Sequence, residues 1–236
     1  MEIVVAYYHN TEFENLISRF KNATIRIYDK SQHYKHTDYK NVTLLENQGR
    51  EGDTYIYHII DNYDKLEEYT MFIQDDTENH IEDYDDFAAE TEDVLRSNAK
   101  FFQYDTLWRK NVDIHTNLIV NGYNKLFDED IINTDDNIKK TRSLYDDKIL
   151  KEPDYIFLEE YRKNKPHKFA IKHICKRFNI ALPESYLSPH SAFFIVHKSR
   201  IHKRTKEFYI ELRNWLLEAD INIFVLEMIW ILIFGE

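Results

Sequence analysis

The chain has 236 residues, of which 43% are hydrophobic and 15% aromatic, and it carries a formal net charge of −11. This length and apolar content are enough for the core of one large domain and argue against general disorder. The acidic balance argues against a nucleic-acid partner, because phosphate recognition needs a basic surface. The single cysteine, Cys175, cannot form an intramolecular disulfide, so we expect a reducing, cytoplasmic location.

Strands and helices alternate over the first third of the chain. The continuous apolar run at residues 2–8 predicts a strand buried on both faces. Thr11 is expected to cap the helix that follows it. The predicted elements are a helix over 12–21, strands over 23–30 and 41–47, a helix over 52–66 and a strand over 69–73. This order predicts an α/β fold with a mixed, mostly parallel sheet flanked by helices.

The middle of the chain, roughly 88–165, is charged and polar, and its segment 128–147 is compatible with an exposed helix or a mobile loop. Regular patterns return in a strand over 191–201 and in helices over 205–220 and 222–234. The last helix is very apolar but shorter than the ~20 residues that span a bilayer. We therefore predict a buried core helix, with a peripheral membrane contact as the alternative, and no signal peptide before the first strand.

Ten carboxylates and no Lys or Arg lie between residues 75 and 93. Asp75 and Asp76 directly follow a strand, at the edge where parallel α/β sheets bind ligands. Paired carboxylates, with His80 nearby, are hard ligands suited to Mg²⁺ or Mn²⁺. The alternative for Asp75 and Asp76 is the start of a solvated acidic loop, and a solvated surface is favoured for 78–93.

The segment "ENQGREGD" (46–53) places two glycines around Arg50 and Glu51, between a strand and a helix. Glycine permits close backbone approach, and the first N–H groups of a helix attract phosphate. Arg50 could add a bidentate contact, although a plain turn with a surface Arg–Glu pair explains the segment equally well. The candidate phosphate-binding residues here are Gly49, Arg50, Glu51, Thr54 and His58.

Two further features carry charge at conspicuous positions. The segment "HKSRIHKRTK" (197–206) holds five Lys or Arg residues and two His. Its Lys203 and Arg204 could neutralise a diphosphate or balance the acidic run. Glu227 lies within the apolar last helix, where a carboxylate must find a partner, perform chemistry or reach solvent at the rim. A raised pKa would suit a general base that deprotonates a hydroxyl.

Residues 47–74, "NQGREGDTYIYHIIDNYDKLEEYTMFIQ", resemble the signature of a family of domains of unknown function found in fungi and large DNA viruses. Members typically read Asn-x-Gly-Arg-Glu, Thr-Tyr-Leu, His-Ile, Asn-Tyr-Asp and Phe-x-Gln. Residues 193–216 and 226–235 resemble the ending of that family. The spacing of Glu227 and Trp230 is also similar to the last helix of several glycosyltransferases of the A fold.

The resemblance implies a glycosyltransferase-A-like, Rossmann-like single domain over 1–236. Its parts would be a nucleotide-binding half (1–87), an insertion or acceptor half (88–190) and a closing strand with C-terminal helices (191–236). Such enzymes move a sugar from a nucleotide-sugar donor to a hydroxyl of a glycan or protein acceptor. They commonly hold Mn²⁺ or Mg²⁺ on an Asp-x-Asp motif after a central strand.

This chain has Gln74-Asp75-Asp76 at that place, where many family members have Gly after the Gln. The expected metal ligands are Asp75, Asp76 and His80, and the expected catalytic residues are Glu227 and Asp76. A viral origin would place the protein in the host cytoplasm. Two other functions stay open. A metal-dependent hydrolase of phosphate or sugar esters would use the same carboxylates with His58, and a binding module would perform no chemistry.

Overall fold

The structure is a computed structural model that describes residues 1–31, 39–104, 116–120, 123–124, 167–189, 191–219 and 222–235. Its strands are β1 (Glu2–Tyr7), β2 (Thr24–Asp29), β3 (Val42–Leu44), β4 (Tyr69–Gln74), β5 (Phe101–Gln103), β6 (Thr116–Val120), β7 (Tyr123–Asn124), β8 (Ser185–Pro189) and β9 (Phe194–His197). Its α-helices are α1 (Phe13–Ile17), α2 (Arg50–Asn62), α3 (Tyr84–Arg96), α4 (His167–Arg177), α5 (Lys198–Ile201), α6 (Lys206–Leu216) and α7 (Asn222–Phe234).

The main sheet has the strand order β3-β2-β1-β4-β9-β5. The first four strands in this order are parallel neighbours, whereas β9 runs antiparallel to both β4 and β5. The prediction of a mixed, mostly parallel sheet with flanking helices is confirmed. A second sheet in the described part of the chain has the order β7-β6-β8. The segment 128–147 lies outside the described residues.

Alternate residues of β1 enter two separate cores. Ile3, Val5 and Tyr7 join the core that contains residues of α1 and α3. Val4 and Ala6 join the core that contains residues of α2, α4, α6 and α7. All six residues of β1 are buried, so the expectation of a strand covered on both faces is confirmed.

Several element boundaries differ from the predicted ones. Helix α1 is shorter than predicted, and Thr11 is not its cap, because the capping position is Glu12, with no side-chain cap bond to any described residue. Helix α2 begins two residues early, at Arg50. Helix α3 was missed inside the acidic run: Asp83 accepts hydrogen bonds from the backbone N–H groups of Asp85 and Asp86, so an acidic residue starts the helix.

The apolar last helix is a core element. Helix α7 has the predicted bounds, and most of its side chains are buried. In the part of the chain that the structure covers, every helix is too short or too polar to cross a membrane.

Candidate active site at the carboxyl edge of the sheet

The site is the edge of the main sheet where β1 and β4 end. The chain passes from β1 to β2 and β3 on one side and then returns to place β4 on the other side of β1. In open α/β sheets, ligands bind outside the carboxyl ends of the strands at such a reversal of strand order. We call this the carboxyl edge.

Asp75, at the end of β4, binds the loop after β1 through hydrogen bonds. Its Oδ2 accepts hydrogen bonds from the backbone N–H groups of Tyr8, His9 and Asn10, each at 2.8 Å. Asp75 is buried, and burial raises its pKa even though the three N–H groups act in the opposite direction. One of the two carboxylate oxygens of Asp75, an expected metal ligand, is thus engaged with the backbone.

The remaining acids of the run 75–93 have ordinary structural positions. Asp83 caps α3, which keeps its pKa below the usual range. Eight carboxylates of the run are exposed, namely Glu78, Glu82, Asp83, Asp85, Asp86, Glu90, Glu92 and Asp93. The solvated surface predicted for 78–93 is confirmed.

Two glycines shape the beginning of α2. Gly49 precedes the helix with a φ of +58°, a left-handed conformation that suits glycine, and a Cβ there would lie 2.7 Å from the Cβ of Asp53. Gly52 faces α7, since a Cβ on it would lie 3.0 Å from Cδ2 of Leu226. The missing side chain of Gly52 therefore allows α2 to approach α7 closely.

This close approach brings together two carboxyl groups from distant parts of the chain. Glu51 lies close enough to Glu227 to raise the pKa of its carboxyl group, both by its charge and by a side-chain hydrogen bond. Burial raises the pKa of Glu227 well above its usual range, the charge and hydrogen bond of Glu51 raise it further, and Arg50 lowers it. We call Glu51 and Glu227 the carboxyl pair.

Positive charge lies beside the carboxyl pair. The guanidinium carbon of Arg50 is 5.5 Å from the ring centroid of Phe224, one helical turn before Glu227 on α7. The start of α2 is held by buried Asp53, whose Oδ1 is 2.6 Å from Nε of Arg213 and whose Oδ2 is 3.4 Å from Nζ of Lys30. These ion pairs fix the helix from which Arg50 and Glu51 extend.

A metal centre at this edge would have fewer protein ligands than the three that the sequence predicts. Asp76 is partly exposed, with Oδ2 3.6 Å from Nε2 of His80, and the His80 ring packs 5.4 Å from that of Phe193. Asp75 is engaged with the backbone, and within the described residues no group of three or more His, Cys, Asp or Glu side chains is arranged to hold a metal. Asp76, with or without His80, matches Mg²⁺ or Mn²⁺ sites that use one or two carboxylates plus phosphate oxygens.

His58 lies elsewhere, in a buried network near the amino ends of β1 and β4. Its Nε2 is 3.3 Å from Oε1 of Glu2, and its Nδ1 is 2.9 Å from the hydroxyl of Tyr28. Glu2 also binds Arg26 and Thr70. We call this group, with Asn62, the amino-edge network, and in it His58 has a structural place.

Some of the other expected donor-binding residues also lie away from the carboxyl edge. Thr54 is fully buried in α2, and its hydroxyl has no hydrogen-bond partner in the part of the chain described. The Tyr63 hydroxyl, just beyond the end of α2, donates to the carbonyl of Arg204. Lys203 and Arg204 thus lie one 13-residue helix away from Arg50, a distance of about 20 Å. The carboxyl edge gathers Gly49, Arg50, Glu51, Asp76, His80 and Glu227, but not His58, Lys203 or Arg204.

Tyr55 belongs to this edge and was missed by the sequence reasoning. It is fully buried, and its ring lies 4.8 Å from that of Phe72 and 6.5 Å from that of Trp230. Its hydroxyl finds no hydrogen-bond partner among the described residues. The four-residue spacing from Glu51 was the available signal, because residues i and i+4 share a helix face.

A family model described as "Protein of unknown function (DUF3431)" matches residues 3–236, almost the whole chain. The chain belongs to this family. Neither the search of curated proteins nor the search of solved structures gives a match. The expected membership of an uncharacterised family is confirmed, and the activity has to be inferred from the carboxyl edge.

Proposed function

We propose that this member of the DUF3431 family is a glycosyltransferase that moves a sugar from a nucleotide-sugar donor to the hydroxyl of a glycan or protein acceptor. The observation that carries the proposal is the carboxyl pair at the carboxyl edge. A carboxyl group whose pKa is raised by burial and by a second carboxyl group is suited to accept a proton near neutral pH.

The reaction is a displacement at the anomeric carbon of the donor sugar. The acceptor oxygen forms a bond to that carbon as the ionised form of Glu227 takes its proton, and the bond from the carbon to the diphosphate oxygen breaks. The diphosphate leaves with the electron pair. Direct attack of this kind inverts the configuration at the anomeric carbon.

The start of α2 is the proposed diphosphate site. Gly49 supplies no side-chain cap to the described part of this helix, and the positive dipole end of α2 favours an anion there. Arg50, the first residue of α2, supplies a full positive charge beside that end of the helix. These groups stabilise charge that develops on the leaving diphosphate.

A divalent cation is part of the proposal in a limited role. Asp76, with His80 beside it, would hold Mn²⁺ or Mg²⁺ together with oxygens of the donor diphosphate. When bound, the cation would neutralise part of the charge on the diphosphate.

The two rival functions receive less support. A metal-dependent hydrolase would need Asp75, Asp76, His80 and His58 together, yet Asp75 binds backbone N–H groups and His58 binds Glu2 and Tyr28. A non-catalytic binding module gives no role to a carboxyl group whose pKa is raised by a second carboxyl group at this edge.

The test is a thermal-shift screen of UDP-, GDP- and dTDP-sugars, each with and without Mn²⁺. It compares the wild type with Asp76→Ala, with Glu227→Gln and with Lys203→Ala, whose substitution lies outside the proposed site. A ligand at a hundredfold its Kd adds about 2.7 kcal/mol to the stability of the folded state. We expect one nucleotide sugar to stabilise the wild type and Lys203→Ala, with a smaller Mn²⁺-dependent shift in Asp76→Ala.

Glu227→Gln should still bind the donor but should transfer sugar about 10²–10⁴-fold more slowly when the stabilising donor is incubated with a panel of simple methyl glycosides. No stabilisation by any nucleotide sugar would overturn the proposal. Stabilisation by Mn²⁺ alone, with release of phosphate from simple esters, would indicate the hydrolase.

A further inference from the structure

We propose that the hydroxyl of Tyr55 binds a hydroxyl group of the donor sugar, next to the carboxyl pair. The inference rests on the proposed function and names one contact that selects the sugar. It begins with the position of Tyr55 between the two helices that form the site.

Tyr55 follows Glu51 by four residues on α2, so the two side chains share one face of the helix. On α7, Trp230 follows Glu227 by three residues and approaches the ring of Tyr55 to 6.5 Å between centroids. The face of α2 that bears Glu51 and Tyr55 therefore meets the face of α7 that bears Glu227 and Trp230. Tyr55 lies one helical turn deeper than the carboxyl pair.

The hydroxyl of Tyr55 is a buried polar group without a hydrogen-bond partner in the described residues. An unsatisfied buried group of this kind destabilises the folded state. The ring itself is well packed, between Phe72 at 4.8 Å and Phe194 at 5.7 Å. Apolar packing therefore accounts for the ring but not for the oxygen, and phenylalanine would satisfy the same packing without the cost.

The surroundings of the hydroxyl are acidic. Burial raises the pKa of Tyr55 well above its usual range, and the neighbouring acids Glu51, Glu227, Asp76 and Asp75 raise it further, so the phenol stays protonated and can donate. A sugar hydroxyl is a matching partner, because it can accept from Tyr55 and donate to a carboxylate. Glu51 and Glu227 are only partly buried, so a sugar that separates them reaches the tyrosine beneath.

A hydroxyl without a hydrogen-bond partner does not by itself identify a sugar-binding residue, because two other tyrosines share this property. Tyr69 and Tyr186 also have buried hydroxyls without partners among the described residues. Tyr69 begins β4, at the opposite edge of the sheet, where its ring contacts that of His197 at 4.9 Å. Tyr69→Phe is therefore a matched control, since it removes the same atom from a buried site away from the carboxyl pair.

The experiment compares Tyr55→Phe, Tyr69→Phe and the wild type in thermal shift, with the stabilising nucleotide sugar of the screen and with the corresponding nucleoside diphosphate, both with Mn²⁺. We expect Tyr55→Phe to unfold at the same temperature as the wild type or higher without ligand. We further expect about tenfold weaker binding of the nucleotide sugar by Tyr55→Phe and unchanged binding of the diphosphate. Tyr69→Phe should bind both as the wild type does.

The outcomes separate this inference from the proposed function. If the wild type binds the nucleotide sugar more tightly than the diphosphate and Tyr55→Phe retains that difference, the role of Tyr55 is refuted and the transferase proposal survives. If the wild type responds to no nucleotide sugar, both are refuted. A Tyr55→Phe variant that weakens the diphosphate as much as the nucleotide sugar also refutes the sugar contact.

Discussion

The pKa values of two carboxyl groups at opposite edges of the same sheet are shifted in opposite directions. Burial alone would raise the pKa of Glu2, but hydrogen bonds and charges from His58 and Arg26 lower it to about 2. Burial also raises the pKa of Glu227, and its principal neighbour is another carboxyl group, which raises it further. One carboxylate is surrounded by partners that stabilise its charge, and the other is kept ready to hold a proton.

The difference separates a structural cluster from a candidate functional one. At the amino edge, Glu2, His58, Tyr28 and Asn62 bind one another, and the result is a closed network. At the carboxyl edge, Glu51 raises the pKa of Glu227, and the nearby hydroxyl of Tyr55 has no hydrogen-bond partner among the described residues. Natural proteins concentrate such unfavourable arrangements at functional sites, where substrate or chemistry compensates for them.

The largest effect should come from Glu227→Gln, which keeps the shape of the side chain and mimics its protonated form. We expect sugar transfer to fall about 10²–10⁴-fold, as when a general base is removed, with little change in donor binding. Initial rates at saturating donor measure the loss. A variant with wild-type rates would remove Glu227 from the mechanism.

The same substitution changes the pH dependence of stability. Because folding raises the pKa of Glu227, the native state binds more protons than the unfolded state between the ordinary pKa of 4.5 and the raised one. The free energy of unfolding therefore falls as pH rises through that window. Glu227→Gln should remove this fall, as urea unfolding at a series of pH values would measure.

The next largest effect should be the loss of stability in Glu2→Gln. The pKa of Glu2 is lowered in the native state, so its contribution is present above pH 4.5 and is lost as pH falls toward about 2. A shift of this size corresponds to on the order of 3 kcal/mol. Urea unfolding at pH 7 and at pH 3 should show a penalty that shrinks in acid.

The control for Glu2→Gln is Glu82→Gln, at an exposed position of the acidic run, which should leave unfolding unchanged at both pH values. Donor binding by Glu2→Gln should stay at the wild-type level under conditions where the variant is folded. Weaker donor binding would mean that the amino-edge network also contributes to the donor site, and the distinction between the two edges would be wrong.

A moderate effect is expected for Asp75→Asn. The amide retains one acceptor oxygen but lacks the negative charge that binds three N–H groups of residues 8–10. We expect a loss of about 1–3 kcal/mol in the free energy of unfolding and faster hydrogen exchange of those N–H groups. Exposed Asp86→Asn provides the control. Unchanged exchange would mean that Asp75 does not hold this loop.

The smallest change in stability should come from Gly52→Ala. Alanine favours the helix by about 1 kcal/mol, but its Cβ would lie 3.0 Å from Cδ2 of Leu226, which opposes that gain. We expect stability within about 1 kcal/mol of the wild type and slower sugar transfer, because α2 moves away from α7. Adding Leu226→Val should restore sugar transfer. Failure of this rescue would mean that the distance between α2 and α7 does not control the activity.

The sequence predicted the elements that have strong periodic signals. The apolar runs of β1 and β4 and the apolar last helix were located to within about two residues, because local patterns of burial require little knowledge of the rest of the chain. Helix α3 was not predicted because its acidic first turn is also typical of a solvated loop. The capping role of Asp83 depends on two backbone N–H groups that only the formed helix presents.

Among the site residues, the sequence alone determined that Glu227, in an apolar helix, and Arg50 and Glu51, between two glycines, required an explanation. Only the tertiary structure decided their partners, because Glu51 and Glu227 are far apart in the chain and meet through the contact of Gly52 with Leu226. It also placed His58 beside Glu2, and Lys203 and Arg204 at the far end of α2. Charge and residue type are local properties, whereas the neighbours that set a pKa come from the packing of the whole fold.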